Sequence, residues 1–316
     1  MKAIAVSSSV SALEKELSGV SDVNLLNRHH SLRTYLCPSS EIPLVMREIA
    51  IQRERTFREV GEGTGMEMDL DAFDHHYLQL FLWDEDAGKI VGGYRIGVVG
   101  EIRALAGDSG IYTSTLFGFA PDLLDELHDG IELGRSFVVP EYQGHPFVLS
   151  LLWKGIGAFV SRNPRHRLLF GPVSISNDYS HISRSLMVQY LKQDRMHDQW
   201  TGKVKARSPF RSVLDDIDNV VERHTDWSSK CASIEAVNAS LMEMEGKGIP
   251  VLLKHYLKLN ARVLDFNVDA NFSDALDVLI VTDLLDAPDQ TVKRYLGTDG
   301  WDNLKAYHEA GNMECA

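Results

Sequence analysis

The chain has 316 residues, of which 44% are hydrophobic and 24% charged, and its formal net charge is −13. This composition is typical of a globular protein with a large core, and the negative charge argues against non-specific binding to nucleic acid. Cys37, Cys231 and Cys315 are scattered without metal-ligand spacing, which predicts reduced thiols and no metal site. We see no stretch long enough to span a bilayer and no signal-peptide core, so we expect a cytoplasmic protein, with a peripheral position on the inner membrane face as the alternative.

Residues 1–40 form a polar N-terminal segment, and the Ser-rich part, residues 1–30, is expected to be loosely held. Residues 41–60 carry apolar side chains at near-helical spacing, which predicts a helix. Because proline fits only the first turn of a helix, this one should begin at about Pro43. The glycines of residues 61–65 then end it.

The remaining elements mix strand and helix without the strict alternation of a doubly wound fold, so we predict a mixed α/β sheet flanked by helices. The expected strands are residues 77–83, 90–99, 131–139, 167–176, 262–268 and 275–283. The expected helices are residues 147–160 and 181–192 and one that starts at Gly248-Ile-Pro250. The predicted organisation is a core over residues 41–199, an insertion or lid over residues 200–245, and a C-terminal part, residues 246–316, that completes the same domain.

The strand that starts at Ile131 carries Glu132, Gly134 and Arg135 among apolar residues. Burying Glu or Arg unpaired is costly, so this strand is expected to line a site rather than fill a core. Side chains three positions apart on a regular strand point to opposite faces. A bulge at Gly134 would bring Glu132 and Arg135 to the same side.

The order of elements and the segment ELGRSFVVPEYQG resemble the GNAT superfamily of N-acyltransferases. Within it, the chain is similar to the hemolysin-like branch, which includes ornithine-lipid N-acyltransferases that use acyl carrier protein thioesters. Several charged positions are also similar, in order, to motifs of acyl-homoserine-lactone synthases. They are Arg53, Phe57, Asp71, Asp74, Gly92 to Arg95, Glu132 and Arg135. The likeness covers roughly residues 41–192 and implies a GNAT-like fold and an acyltransferase without a cofactor of its own.

The chain departs from these families in two loops. Acyl-homoserine-lactone synthases carry a Trp shortly after the Phe57 equivalent, where this chain has glycine-rich residues 61–65, which argues against S-adenosylmethionine as substrate. Residues 143–147 lack the glycine pair of acetyl-CoA enzymes and so offer fewer backbone N–H groups to a pyrophosphate. We therefore expect the 4'-phosphopantetheine thioester of acyl carrier protein as donor, with acyl-CoA as the alternative.

The resemblance implies roles for the charged residues of this strand, for Arg95 and for the backbone that follows the charged residues. Glu132 is the candidate general base, and a structural ion pair with Arg135 or Arg95 is the alternative interpretation. The two arginines would orient that carboxylate or bind the carboxylate of an amino-acid acceptor. The candidate oxyanion donors are the backbone N–H groups near Phe137, Val138 and Val139.

Four residues upstream complete the predicted site. Asp71 and Asp74 are three apart and could bind the ammonium of the acceptor; a helix N-cap followed by a solvated acid is the alternative. Arg53 and Phe57 lie one helical turn apart, so they share a face. Phe57 is expected to line the acyl pocket, and Arg53 to pair with an Asp.

Two basic clusters, residues 162–167 and 203–211, are candidate docking sites for acidic acyl carrier protein or anionic headgroups, with solvated charge as the alternative. The expected reaction moves a long acyl chain, with or without a 3-hydroxyl, from acyl carrier protein to the α-amine of an amino acid. The product would be a lyso-aminolipid such as lyso-ornithine lipid. The alternatives are an acyl-homoserine-lactone-type signal synthase and a non-catalytic partner of a lipid acyltransferase that binds acyl chains or acyl carrier protein.

Overall fold

The computed structural model describes residues 1–215 and 227–314. Its strands are β1 (Leu25–His29), β2 (Leu32–Pro38), β3 (Leu78–Asp84), β4 (Lys89–Val98), β5 (Phe117–Phe119), β6 (Ile131–Val138), β7 (Leu168–Ile175), β8 (Val204–Ala206), β9 (Arg262–Asp269) and β10 (Ala275–Asp283). Eight of them form one sheet in the order β1-β2-β3-β4-β6-β7-β10-β9, while β5 pairs with β8. Within the large sheet, β6 and β7 are parallel, and the other pairs of neighbouring strands are antiparallel.

Helices cover this sheet, which confirms the predicted mixed α/β class. They are α1 (Val10–Ser18), α2 (Pro43–Glu59), α3 (Val99–Ala106), α4 (Pro121–Glu126), α5 (Val148–Arg162), α6 (His181–Asp194), α7 (Trp227–Lys230), α8 (Ile234–Glu245), α9 (Val251–Lys258) and α10 (Asp289–Glu314). Helix α10 is kinked at Gly297. The predicted helix that starts at Pro43 is confirmed, and the predicted strands over residues 77–83 and 90–99 are β3 and β4, which pair antiparallel.

The prediction that residues 1–30 are loosely held is wrong. Leu13 and Leu17 of α1 are buried in one apolar cluster with side chains of α2, and β1 forms the edge of the large sheet. Part of the predicted insertion or lid, residues 216–226, lies outside the described residues; β8, α7 and α8 lie in the rest of it. The proposed division of the chain into core, insertion and C-terminal part stays a prediction.

Strand β6 has the bulge that the site requires, but at Arg135 and not at Gly134. Gly93 pairs with Phe137 and Arg95 with Gly134, so three steps along β6 face two steps along β4. Arg135 adopts a φ of 48°, in the left-handed region. Glu132 and Arg135 both contact Tyr112, so their side chains lie on the same side of the sheet, as predicted.

Strands β6 and β7 separate soon after they meet. Their parallel register consists of Ile131 with Leu169 and Glu132 with Phe170, although both strands continue well beyond these pairs. Ser136 of β6 and Ser174 of β7 then line a cavity between the diverging strands. The sheet therefore opens beside the bulge.

The long helix α10, which the sequence did not predict, packs against α5 at Gly157. A Cβ atom at Gly157 would lie 2.4 Å from the carbonyl oxygen of Tyr295. We expect Gly157→Ala to lower the free energy of unfolding by about 1–3 kcal/mol, because the added methyl overpacks a backbone contact. Urea denaturation measures this loss. Gly311→Ala is the matched control, since a Cβ there meets no atom within 4 Å; equal effects of the two changes would contradict the close contact.

Candidate active site

A buried arginine of α2 fixes the loop that precedes β3. Arg53 donates to both carboxylate oxygens of Asp74 at 2.9 Å and lies 3.2 Å from a carboxylate oxygen of Asp69. Arg53 is thus paired with aspartates as predicted, although Asp69 was not among the predicted residues. Burial opposes ionisation of Asp74, but the adjacent Arg53 outweighs it and holds the pKa of Asp74 well below its usual range.

Asp71 and Asp74 cap a short 3₁₀ helix. The carboxylate of Asp71 accepts from the backbone N–H groups of Phe73 and Asp74, and the carboxylate of Asp74 accepts from the N–H of Asp71. Neither aspartate lines the cavities described below. Asp71 matches the N-cap alternative, whereas Asp74 is buried and paired with Arg53 rather than solvated. These contacts give no support to the predicted contact with the acceptor ammonium.

Asp71 also joins the two remaining arginines. Arg95 of β4 lies 2.6 Å from one of its oxygens, and Arg135 lies 3.3 Å from the other. Arg135 further contacts Asp69 at 3.1 Å and donates to the hydroxyl of Tyr112 at 3.0 Å. The arginine at the bulge is therefore held from three directions, which fixes its guanidinium in one orientation.

Glu132 lies beside this network and is buried away from solvent. Its side chain is 1% exposed and accepts hydrogen bonds from the Tyr77 hydroxyl and from the backbone N–H groups of Tyr112 and Thr113, at 3.2 and 2.6 Å. Burial raises the pKa of Glu132, and these donors partly offset the rise. Within the described residues no ion pair joins Glu132 to Arg135 or Arg95, so the alternative of a structural ion pair is wrong; the partners of this carboxylate are neutral donors. Its role as base stays a prediction.

A polar cavity of about 140 Å³ opens next to Arg135. Its charged lining comes from Arg135 and from three carboxylates that sequence reasoning missed: Glu62, Asp269 and Asp277. Burial raises the pKa of Asp277 to about 7, and it likewise raises the pKa of Glu62 to about 7, with Asp277 contributing. Asp277 is an acid among apolar residues of β10, and the same pattern drew attention to Glu132.

A larger apolar cavity of about 480 Å³ adjoins the polar one. Its lining comes mainly from α2, the end of β6, the loop before α5, α5 itself and the start of α9. The apolar residues are Phe57, Val60, Tyr94, Phe137, Val138, Tyr142, Val148, Leu149, Leu152, Pro250, Val251 and Leu252. Phe57, Glu62, Ser136 and Leu252 line both cavities, so the two meet there. Phe57 thus lies on the wall of an apolar pocket, and its contact with an acyl chain stays a prediction.

The backbone N–H groups after the bulge are not equivalent. The N–H of Val139 donates to the carbonyl of Val91 at 2.9 Å, which removes it from the predicted oxyanion donors. Successive N–H groups of a strand point to opposite edges. The N–H of Val138 therefore points away from β4, toward the opening between β6 and β7, whereas that of Phe137 points toward β4.

The predicted basic clusters are paired with nearby acids at three positions, Arg165, Arg167 and Lys203. Lys203 lies 2.9 Å from Asp122 and 2.7 Å from Glu126. In the other cluster, Arg167 lies 3.3 Å from Asp283. These contacts fit the alternative of solvated surface charge and give no support to a docking site for an acidic partner.

Comparison with known proteins defines the class. Residues 52–154 match the acetyltransferase (GNAT) domain. A glycine N(alpha)-acyltransferase of Bacteroides thetaiotaomicron is 30% identical over 272 residues, which cover 82% of this chain and 79% of that protein. One of Phocaeicola vulgatus with the same description is 29% identical over 272 residues, covering 82% and 81%. The chain belongs to the GNAT family of N-acyltransferases.

The chain is therefore an enzyme that transfers acyl groups to amines, which excludes the non-catalytic alternative. Among solved structures, a CoA-dependent acyl-homoserine lactone synthase, MesI, superposes with a TM-score of 0.40 at 13% identity, covering 84% of this chain and 95% of that chain. Among the described helices we find none with the length and apolar character needed to cross a membrane.

Proposed function

We propose that the protein moves a long fatty acyl chain from a thioester to the α-amine of glycine. The observation that carries the proposal is the meeting of an apolar and a polar cavity at Ser136, directly after the bulge. An alkyl chain suits the first cavity, and a small zwitterion suits the second. The description of the two relatives as glycine N(alpha)-acyltransferases supports the acceptor.

The polar cavity supplies groups of both signs for an amino acid. The guanidinium of Arg135 would bind the carboxylate, because its planar donors match carboxylate geometry. Glu62 and Asp269 would attract the ammonium. A volume of about 140 Å³ accommodates glycine, and the description of the two relatives favours glycine over ornithine.

The apolar cavity would hold the donor. Gln143, Gly144 and His145 line it together with Val148 in the first turn of α5. Free N–H groups at a helix start suit a single phosphate, and a pantetheine thioester would run from there toward Ser136. The loop without a glycine pair favours acyl carrier protein over coenzyme A as donor. The N–H of Val138 would stabilise the oxyanion while the thiol leaves.

The test is a product assay with purified protein. Palmitoyl and 3-hydroxypalmitoyl thioesters of acyl carrier protein and of coenzyme A are each offered with an equimolar mixture of amino acids that includes ornithine, and products are identified by mass spectrometry. We expect N-acylglycine, with a higher kcat/KM for the carrier-protein donor. N-acylornithine as the main product would contradict the acceptor. A lactone formed with S-adenosylmethionine would instead indicate a signal synthase.

A further inference from the structure

Asp277 has the geometry of a proton acceptor at the polar cavity. It lies on β10, where its backbone is in register with Ser174 of β7 and Asn267 of β9. Its side chain is 3% exposed, and one oxygen accepts a hydrogen bond from the Ser174 hydroxyl at 2.8 Å. The other oxygen has no hydrogen-bond partner within residues 1–215 and 227–314. A buried carboxylate oxygen without a partner is costly unless a ligand supplies the donor.

We infer that Asp277 is a catalytic residue whose free carboxylate oxygen takes the proton from the ammonium of the acceptor. This rests on the proposed function, since the cavity beside Asp277 is the one assigned to the amino acid. Asp277 would make the amine nucleophilic in place of Glu132, the base that the resemblance implied.

The proton and electron balance is simple. One N–H proton of the ammonium passes to Asp277 and later to solvent, which leaves a lone pair on nitrogen. That pair forms the C–N bond at the thioester carbonyl, and the C–S pair departs with sulfur. A second N–H proton ends on the departing thiolate, so the products are an amide and a thiol. The reaction requires no oxidant, metal or cofactor to balance.

The other carboxylates are less suited to this step. Glu132 accepts three hydrogen bonds and lines neither cavity. Asp269 already accepts from the N–H of Asn271 at 2.9 Å. Glu62 follows Gly61 in a glycine-rich loop, whereas Asp277 is fixed on β10, which pairs with a strand on each side, β7 and β9.

The electrostatic surroundings fit a base that works near neutral pH. The charged groups that face Asp277 are Arg135 from β6, Asp269 from β9 and Glu62 from the loop after α2. Burial raises its pKa to about 7 and Asp269 adds to the rise, whereas the Ser174 hydroxyl, Arg135 and the side chain of Asn267 oppose it. General bases are most effective when their pKa lies near the working pH.

The first test compares Asp277→Asn with Asp283→Asn, a control on the same strand whose carboxylate pairs with Arg167 and lines neither cavity. We expect Asp277→Asn to lower kcat/KM by about 10²–10⁴-fold and the control to keep wild-type activity.

The acceptor in this test is whichever amino acid the wild type acylates fastest, so failure of glycine as acceptor and failure of Asp277 as base are separate results. With aminooxyacetate, whose nucleophilic nitrogen is neutral at pH 7, the defect of Asp277→Asn should shrink at least tenfold. An equal defect with both acceptors, or no defect, would overturn the inference.

The second test needs no substrate. An acid whose folded pKa is raised contributes stability below its unfolded pKa of about 3.9 and loses that contribution as the pH rises through the folded value. The urea midpoint of the wild type should therefore fall, relative to Asp277→Asn, between about pH 4 and pH 7. Parallel midpoints across that range would show that Asp277 is ionised throughout and would overturn its assignment as a base tuned to neutral pH.

Discussion

Replacing Arg53 by methionine is expected to lower the free energy of unfolding by about 3–5 kcal/mol. The side chain of Arg53 is 1% exposed and lies between Asp69 and Asp74, which are 2% and 1% exposed. Methionine keeps much of the aliphatic volume but removes the charge that Asp69 and Asp74 share. The remaining countercharges are Arg135, 3.1 Å from Asp69, and Arg95, 3.6 Å from Asp74. Urea denaturation at pH 7 measures the loss.

The matched control is Arg55→Met, two residues after Arg53 on the same helix. Arg55 is 38% exposed and pairs at 2.5 Å with Glu141, itself 43% exposed, so its loss should cost less than about 1 kcal/mol. The pH dependence gives a second readout. Because Arg53 holds the pKa of Asp74 low, this carboxylate contributes stability above its unfolded pKa of about 3.9, and the contribution is lost as pH falls. Equal losses for the two variants, with the same acid sensitivity as wild type, would show that the buried network adds little.

Much of the sheet could be predicted because its signals are local. Alternating and apolar runs identified β3, β4, β7, β9 and β10, and Pro43 marked the start of α2. Helix α1 was missed because serines surround its few apolar residues, although Leu13 and Leu17 suffice to bury one face. Helix α10 was missed because charged residues dilute its apolar pattern and Gly297 interrupts it.

The site was predictable only in part, because several of its residues are brought together by contacts between distant segments of the chain. Arg53, Phe57 and Arg135 were found through a motif that keeps them in order along the chain. The electrostatic interaction between Glu62 and Asp277 connects the loop after α2 with a strand near the C-terminus, and no local pattern encodes it. The bulge was also predictable only in part. Gly134 suggested that a bulge exists, but its position at Arg135 depends on the pairing of β6 with β4.

Arg135→Lys is expected to raise the KM for glycine by about 10–100-fold and to change kcat much less. A guanidinium can bind a carboxylate with two parallel hydrogen bonds, whereas an ammonium keeps the charge and loses that geometry. Hydrogen bonds to charged groups contribute about 1.5–3 kcal/mol, which corresponds to this range of KM. Lysine is preferred to methionine because it keeps a positive charge beside Asp69 and Asp71. Steady-state kinetics with saturating acyl donor measure both constants.

Because Arg135 also makes structural contacts, a control is needed that separates its binding of glycine from its support of the bulge. Glycinamide has no carboxylate, so a variant that has lost only the carboxylate contact should acylate it as the wild type does. Arg165→Lys controls for the exchange itself, because Arg165 is 46% exposed and lines neither cavity. If Arg135→Lys impaired glycine and glycinamide equally and also raised the KM for the acyl donor, Arg135 would act by holding the bulged strand through Asp69, Asp71 and Tyr112. Selective loss with glycine would instead assign the carboxylate of the acceptor to this guanidinium and would orient its amine within the cavity toward Asp277.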